Sequence, residues 1–189
     1  MREVEPIRDP AMLTAIKARL HAQNLRDAAW FTVGINTRLR IGDLLRLKVE
    51  DVRISRSRWR DRLTIREQKT GKVKDVPLSP AIRKALQEYL ATRPDAQGGD
   101  PLFPSRKGGR PLGRQAAWRI LAEAARAVGV TDPIGTHTLR KTFGYHAYQA
   151  GTDLAIIQQM LNHSSPAVTL RYLGISRDDR DAVYLSLNL

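Results

Sequence analysis

In several segments of the chain, apolar residues recur every three to four positions, which is the spacing of an amphipathic helix. Ile82, Leu86 and Leu90 show this spacing directly after Ser79 and Pro80, a pair that commonly starts a helix. The same reasoning, applied along the chain, predicts helices at 10–23, 25–37, 40–47, 80–92, 114–128, 138–150, 154–161, 166–172 and 177–184.

Other segments alternate apolar and polar residues, as half-buried strands do. Thr70 and Gly71 lie between two such segments and are typical of a hairpin turn. We therefore predict a mainly α fold with a small three-stranded antiparallel β-sheet (α+β), whose strands lie at 49–54, 60–67 and 73–78.

A chain of 189 residues is long enough for one domain with its own core, and we expect a single domain over 1–189. The net charge of +13, dominated by arginine, favours a polyanionic partner such as DNA. Cysteine is absent, which excludes disulfides, thiol catalysis and cysteine-based zinc sites. No long apolar run or apolar signal segment is found, so we expect a cytoplasmic protein.

His137 and Arg140 are the first pair of candidate functional residues. They are three positions apart, so a helix places them on one face. An imidazole transfers protons near neutral pH, and a guanidinium forms paired hydrogen bonds to phosphate. Gly144 lies one turn further along and has no side chain, which would let a ligand backbone approach closely.

His163 and Tyr172 follow within the same C-terminal stretch. His163 lies in a turn before Ser165 and Pro166, which are the expected N-cap and first residue of the next helix. Tyr172 ends that helix. A phenol is a poor nucleophile unless its proton is removed or nearby cations stabilise the phenolate. Taken alone, Tyr172 also suits a packing role on an amphipathic helix.

Two upstream residues complete the candidate chemistry. Arg40 lies among apolar residues of a predicted helix, and Asp43, three positions later, is placed to orient its guanidinium. Lys69 lies at the tip of the predicted hairpin, where exposed lysines are common. Each residue alone fits a solvated or structural role, and it is their combination that indicates phosphate chemistry.

Further basic residues form two stretches that would contact a DNA backbone, although a solvated surface explains them equally well. The predicted DNA-contacting residues are Arg53, Arg56, Arg58, Arg106, Lys107, Arg110, Arg114 and Lys141. The sequence contains no P-loop, no carboxylate cluster for two metals and no close pair of histidines. We therefore expect neither a cofactor nor a metal ion.

Four motifs, in this order, resemble those of the tyrosine recombinase family, the phage integrases and Xer-type recombinases. They are TRLRIGD at 37–43, Lys69 with its spacing to a VPL segment, HTLR at 137–140, and LNH at 161–163 followed nine residues later by Tyr172. Each motif alone is weak evidence. Together they cover most of the chain, and the resemblance implies that family's catalytic-domain fold.

The sequence departs from the family pattern at several positions. Arg38 and Asn162 each replace a glycine, and asparagine tolerates the left-handed backbone that such a position requires. Asp43 stands where glutamate is usual, and Lys141 where histidine is frequent. The segment before Arg40 is too short for the separate core-binding domain that members usually carry. Either that domain is truncated here or this is a minimal member.

The resemblance implies specific roles for these residues. Tyr172 would attack a DNA phosphate, forming a 3′-phosphotyrosyl intermediate and a free 5′-hydroxyl. Arg40 and Arg140 would bind the non-bridging oxygens, and Lys69 would protonate the leaving 5′-oxygen. The proton transfer at the tyrosine and a hydrogen bond to the phosphate would come from His137 and His163.

The expected function is therefore site-specific DNA recombination or integration on double-stranded DNA, without metal or ATP. Two alternatives are a DNA-binding regulator that has this fold but does not recombine, and a strand relaxer similar to type IB topoisomerases. In relatives, the segment after the tyrosine packs on a neighbouring protomer. The tail at 177–189 is accordingly expected to mediate self-association on DNA, with packing within its own domain as the equally open alternative.

Overall fold

The computed structural model describes residues 4–175 and Leu185 of the chain. The predicted tail helix and the self-association segment at 177–189 lie outside the described residues, apart from Leu185. No helix in the described part is both long and apolar enough to cross a membrane. The helices are α1 Pro10–Gln23, α2 Leu25–Thr37, α3 Ile41–Leu44, α4 Pro80–Ala91, α5 Arg114–Ala127, α6 Thr138–Gln149, α7 Leu154–Leu161 and α8 Pro166–Leu173.

Side-chain caps start three of these helices where the sequence predicts. Asp9, Ser79 and Ser165 each accept a hydrogen bond from a backbone N–H in the first turn of α1, α4 and α8. Proline follows each of them at the first helical position, where its missing N–H costs no hydrogen bond. The predicted starts of these helices are therefore confirmed.

The prediction of three strands is wrong, because the described sheet has two. They are β1, Arg62–Arg66, and β2, Val73–Pro77, paired antiparallel. The segment predicted as a further strand forms a 3₁₀ helix instead, Val49–Asp51. The Asp51 side chain accepts a hydrogen bond of 2.7 Å from the Lys48 backbone N–H, and such local bonds favour a turn over an extended strand.

The main hydrophobic core surrounds α2, which packs against α1, α4 and α6. Trp30, Phe31 and Val33 of α2 are completely or almost completely buried. Residues from most other elements join the same cluster. This central helix ends at Thr37, so its packing fixes the position of the arginines that follow.

The helices α7 and α8 form a second, small cluster through Ile157, Leu161 and Leu173. Gly144 of α6 faces it: a Cβ atom there would lie 2.6 Å from Leu173 Cδ2 and 3.3 Å from Leu161 Cδ1. The expectation that Gly144 leaves room for a ligand is therefore wrong. Its missing side chain allows close packing of α6 against the pair of helices that carries Tyr172.

The β1–β2 hairpin carries two charged side chains on its inward side. Leu63 pairs with Val76 and Ile65 with Lys74, so Lys74 has the inward orientation of these apolar residues. Lys74 is buried, and its ammonium lies 3.0 Å from the carboxylate of Glu67, which has no exposed side-chain surface. The hairpin therefore brings a buried ion pair into the molecule.

Burial lowers the pKa of Lys74 to about 8, helped by the positive charges of Arg140 and Arg38, although the contact with Glu67 opposes the shift. In the unfolded chain the pKa is near the ordinary value of 10.5. Between these values the unfolded state binds the proton that the folded state has released. The contribution of Lys74 to stability therefore rises with pH across this window.

We predict that the free energy of unfolding of the wild type, measured relative to Lys74→Met, increases as the pH is raised from 7 to 10. Urea denaturation at pH 7, 8.5 and 10 measures this difference. Lys84→Met, at an exposed position of α4, is the control and should show no such trend. A constant or falling difference for Lys74→Met would contradict the buried position of the ammonium group.

Candidate active site

Three of the predicted catalytic residues line one surface cleft. Arg40, Lys69 and His137 surround a cavity of about 410 Å³, together with Arg114 at the start of α5. Arg114 was predicted as a DNA contact, and here it shares the cleft with the candidate catalytic groups. The cleft therefore has two arginines, a lysine and an imidazole around one volume.

The backbone after α2 places Arg40 in this cleft. Arg38 ends the helix with a left-handed conformation, φ 51°, which costs a residue with a side chain about 1–2 kcal/mol. Glycine, which the family pattern described above has at this position, adopts this conformation without that cost. Arg40 is then extended and precedes the four-residue helix α3. Its guanidinium reaches Glu67, with Nη1 2.6 Å from Oε1.

The prediction that Asp43 orients Arg40 is wrong. Its carboxylate accepts a hydrogen bond of 3.1 Å from the Gln68 backbone N–H and lies 3.7 Å from Arg46. The expectation assumed that positions 40 and 43 share a helix face. Arg40 precedes α3 in an extended conformation, so the helical spacing does not apply. Asp43 instead holds the start of the hairpin turn.

Arg140 is the most deeply placed of the predicted phosphate-binding groups, with 4% of its surface exposed. Its Nη1 donates a hydrogen bond of 2.8 Å to the Arg38 carbonyl, and its Nη2 donates one of 2.5 Å to the Leu161 carbonyl. These contacts join the end of α2, the start of α6 and the end of α7. The guanidinium is therefore fixed by backbone atoms from separate parts of the chain.

His163 and Tyr172 are brought together as predicted. Asn162, at φ 55°, reverses the chain after α7, in agreement with the left-handed backbone expected there. The ring of His163 meets the ring of Tyr172 edge to face at 4.8 Å between centroids. His163 Nδ1 is also 3.2 Å from Thr169 Oγ1, which fixes the orientation of the imidazole. Thr169 was not predicted as part of the site.

The Tyr172 hydroxyl is buried and has no well-aligned hydrogen-bond partner among the described residues. Burial raises the pKa of this phenol, and the attraction of Arg140 and Arg40 opposes the shift without cancelling it. The Lys141 ammonium lies 5.2 Å from the ring centroid. In this state Tyr172 is a protonated phenol surrounded by cations.

Both histidines have a lowered pKa. Partial burial is the main cause for His137 and for His163, and the positive charges of Arg140 and Arg40 add to it. The two imidazoles are therefore mainly neutral at pH 7 and able to accept a proton or a hydrogen bond.

The predicted DNA contacts fall into different environments. Lys141 is buried, with 3% exposed, and its position on α6 faces α8 and the Tyr172 ring, so it is separate from the exposed basic residues with which it was grouped. Arg53 is partly buried and donates 3.3 Å to the Ala96 carbonyl. The remaining predicted contacts, outside the cleft, are exposed: Arg56, Arg58, Arg106, Lys107 and Arg110.

The hairpin tip is connected to the tyrosine-bearing helices. Lys69 is exposed at the edge of the cleft, whereas Lys72 donates 2.7 Å to the Asn162 side-chain oxygen. Lys74 donates 3.3 Å to the Met160 carbonyl. Of the three hairpin lysines, Lys69 is therefore the one that faces the cleft, and the other two contact the end of α7.

Sequence reasoning missed Glu67, although a signal for its inward position was present. Glu67 continues the alternation of Leu63 and Ile65, so its side chain takes an inward position in an apolar series. Lys74 does the same before Val76. A charged residue of each sign on the buried face of one hairpin is unusual and indicates a paired, functional arrangement.

Metal ligation is not favoured by the described residues: across 4–175 no three His, Asp or Glu side chains are grouped closely enough to hold an ion. The positive charge of the site comes from Arg40, Arg114, Arg140, Lys69 and Lys141. The arrangement is suited to binding a phosphate and stabilising negative charge that develops on it.

Sequence comparison finds close relatives of this chain. It is 42% identical over 184 residues to the probable integrase/recombinase YoeC of Bacillus subtilis, covering 97% of both chains. It is 34% identical to the tyrosine recombinase XerD of Corynebacterium glutamicum, over 85% of this chain and 52% of that protein. The chain thus spans about half the length of the XerD relative but nearly all of YoeC.

Solved structures show the same fold. The crystal structure of XerA recombinase matches with a TM-score of 0.77 at 22% identity, covering 100% of this chain and 66% of that one. XerH bound to its palindromic difH substrate matches with a TM-score of 0.75 at 20% identity, covering 97% and 53%. Residues 9–178 match the profile described as the phage integrase family. The chain therefore belongs to the phage integrase family of tyrosine recombinases.

Proposed function

We propose that this protein breaks and rejoins double-stranded DNA at specific sites through a phosphotyrosyl intermediate. The observation that carries the proposal is the burial of the Tyr172 hydroxyl among Arg140, Lys141 and His163. Membership of the family and the names of the relatives support it. YoeC, which this chain covers almost completely, is itself described as a probable integrase/recombinase.

Phosphate binding is assigned to Arg40 and Arg140. Each guanidinium is held by protein contacts, Arg40 by Glu67 and Arg140 by two carbonyls. Preorganised cations stabilise a pentacoordinate phosphorane more than the ground state, because the non-bridging oxygens gain negative charge in the transition state. Arg114, at the rim of the same cleft, extends the contact to a neighbouring phosphate.

The bond changes balance without an external reagent. The Tyr172 oxygen forms a bond to phosphorus while the bond from phosphorus to the 5′-oxygen breaks. The tyrosine proton passes to the neutral imidazole of His137. His163 forms a hydrogen bond to the phosphate. Lys69 donates a proton to the leaving 5′-oxygen. Rejoining is the reverse, with a 5′-hydroxyl as the nucleophile, so the phosphodiester energy is conserved.

Exposed basic residues outside the cleft supply the duplex contacts. Arg106, Lys107 and Arg110 lie on the loop before α5, next to Arg114. Such contacts position the backbone and do not read sequence. Affinity from this surface should fall steeply with salt because it depends on counterion release.

The Tyr172→Phe variant should form no covalent protein–DNA adduct and should bind DNA with nearly unchanged affinity. The hydroxyl is the proposed nucleophile, whereas the grip on DNA comes from the cations. Nicked suicide substrates followed by denaturing electrophoresis measure the adduct, and a mobility shift measures affinity. Adducts that persist in the variant would move the nucleophile elsewhere. Wild-type protein that binds DNA but never forms an adduct would favour a DNA-binding regulator.

The assignment of Lys69 as general acid predicts a substrate-dependent defect. Lys69→Ala should cleave ordinary DNA slowly but recover most of its rate when sulfur replaces the bridging 5′-oxygen, because a thiolate leaves without being protonated. Lys72→Ala is the matched control on the same hairpin. Equal defects of Lys69→Ala on both substrates would contradict its role as the acid.

A further inference from the structure

Glu67 closes the turn that carries Lys69. Its backbone N–H donates a hydrogen bond of 2.9 Å to the Lys72 carbonyl, and its carbonyl accepts one of 2.9 Å from the Gly71 N–H. The side chain folds inward from this turn, and the residue is 1% exposed. One residue therefore belongs both to the loop that presents the proposed acid and to the interior of the site.

The carboxylate of Glu67 is shared by cations from two elements. Its Oε1 lies 2.6 Å from Arg40 Nη1 and 3.0 Å from Lys74 Nζ, and its Oε2 accepts 2.6 Å from Thr70 Oγ1. A buried carboxylate is costly unless it is paired and hydrogen-bonded, and here Oε1 forms the ion pairs while Oε2 accepts the hydrogen bond. Burial alone would raise the pKa of Glu67, but the bonds from Thr70, Lys74 and Arg40 lower it to about 2.

Arg40 has no equivalent partner elsewhere in the described part of the chain. Asp43, the acidic residue nearest in sequence, is occupied by the Gln68 N–H and Arg46. A guanidinium on a flexible side chain at a cleft has many rotamers, and fixing one of them beforehand removes that entropy cost from the reaction. The contact with Glu67 fixes Arg40 in this way.

Building on the strand cleavage proposed above, we propose that Glu67 is a positioning residue that holds Arg40 in place for the non-bridging oxygen and ties it to the Lys69 turn. It does not touch the reacting atoms. Its effect on the rate passes through Arg40, so losing the Glu67 charge should produce the substrate dependence expected of a weakened Arg40.

The diagnostic substrate is a methylphosphonate, in which a methyl group replaces one non-bridging oxygen of the scissile phosphate. That phosphate is neutral, so less charge develops for an arginine to stabilise. A variant that weakens Arg40 should therefore lose much rate on phosphodiester DNA and little on the methylphosphonate. A variant that merely loosens the fold should lose similar rate on both.

The experiment measures single-turnover formation of the covalent adduct by Glu67→Gln on both substrates. This change keeps the size of the side chain and removes its charge. We expect a loss of about 10- to 100-fold on phosphodiester DNA, the range usual for groups that orient a functional residue, and a much smaller loss on the methylphosphonate. Arg40→Ala should give the same pattern. The control is Asp75→Asn, which removes an exposed carboxylate on the same hairpin. It should leave the rates on both substrates unchanged.

The positioning role would be overturned if the Glu67→Gln variant cleaves as fast as the wild type, or if its rate falls equally on both substrates. If the glutamine variant does not fold, Glu67→Asp is compared on the same two substrates. This variant keeps the charge but shortens the reach to Arg40. A wild-type rate, or an equal loss on both substrates, would again overturn the positioning role. A wild-type protein that forms no adduct would contradict the proposed function itself, which separates that failure from failure of this inference.

Discussion

Burial of positive charge is the constraint on which this site depends. Lys74, Arg140 and Lys141 are each at most 6% exposed. A buried cation costs several kcal/mol unless oxygen atoms compensate for its lost hydration. Much of this compensation comes from the end of α7, where Arg38 and Lys74 donate to the Met160 carbonyl and Arg140 donates to the Leu161 carbonyl. The C-terminal end of a helix carries unpaired carbonyls and partial negative charge, so it suits this role.

This arrangement makes the position of the tyrosine depend on the cations. The helices α7 and α8 have a small hydrophobic cluster of their own, and α6 packs against them at Gly144. The turn that follows α7 carries His163, and α8 carries Tyr172. The bonds that satisfy Arg140 therefore also place the proposed nucleophile beside it. The same contacts stabilise the fold and assemble the site.

Much of the fold was visible in the sequence because local signals were strong. Caps at Asp9, Ser79 and Ser165 each marked the start of a helix, and apolar spacing gave the helical segments. The prediction of a third strand was wrong because the side chain of Asp51 stabilises a turn. The alternation of apolar and polar residues does not reveal this contact. The six proposed catalytic residues were named from motif order and spacing. Arg40, Lys69 and His137 line one cleft, His163 lies against the ring of Tyr172, and Arg140 interacts electrostatically with both Arg40 and Tyr172.

The errors within the site have a common origin. Asp43 was paired with Arg40 on the assumption of a continuous helix, and Lys141 was grouped as a DNA contact with residues that the structure leaves exposed. In both cases a tertiary contact determines the environment of the side chain. Glu67, distant in sequence, holds Arg40, and the Tyr172 ring lies against Lys141. Local spacing describes neighbours along one element, and it does not identify partners across two.

Tyr172 is the proposed nucleophile, and it would attack a DNA phosphate inside this cluster of cations. Mass spectrometry of the protease-digested covalent adduct identifies the attacking residue. The nucleotide should be attached to the peptide containing Tyr172, through the phenolic oxygen and a 3′-phosphate. Attachment at Tyr184 or any other residue, or through a 5′-phosphate, would contradict this assignment.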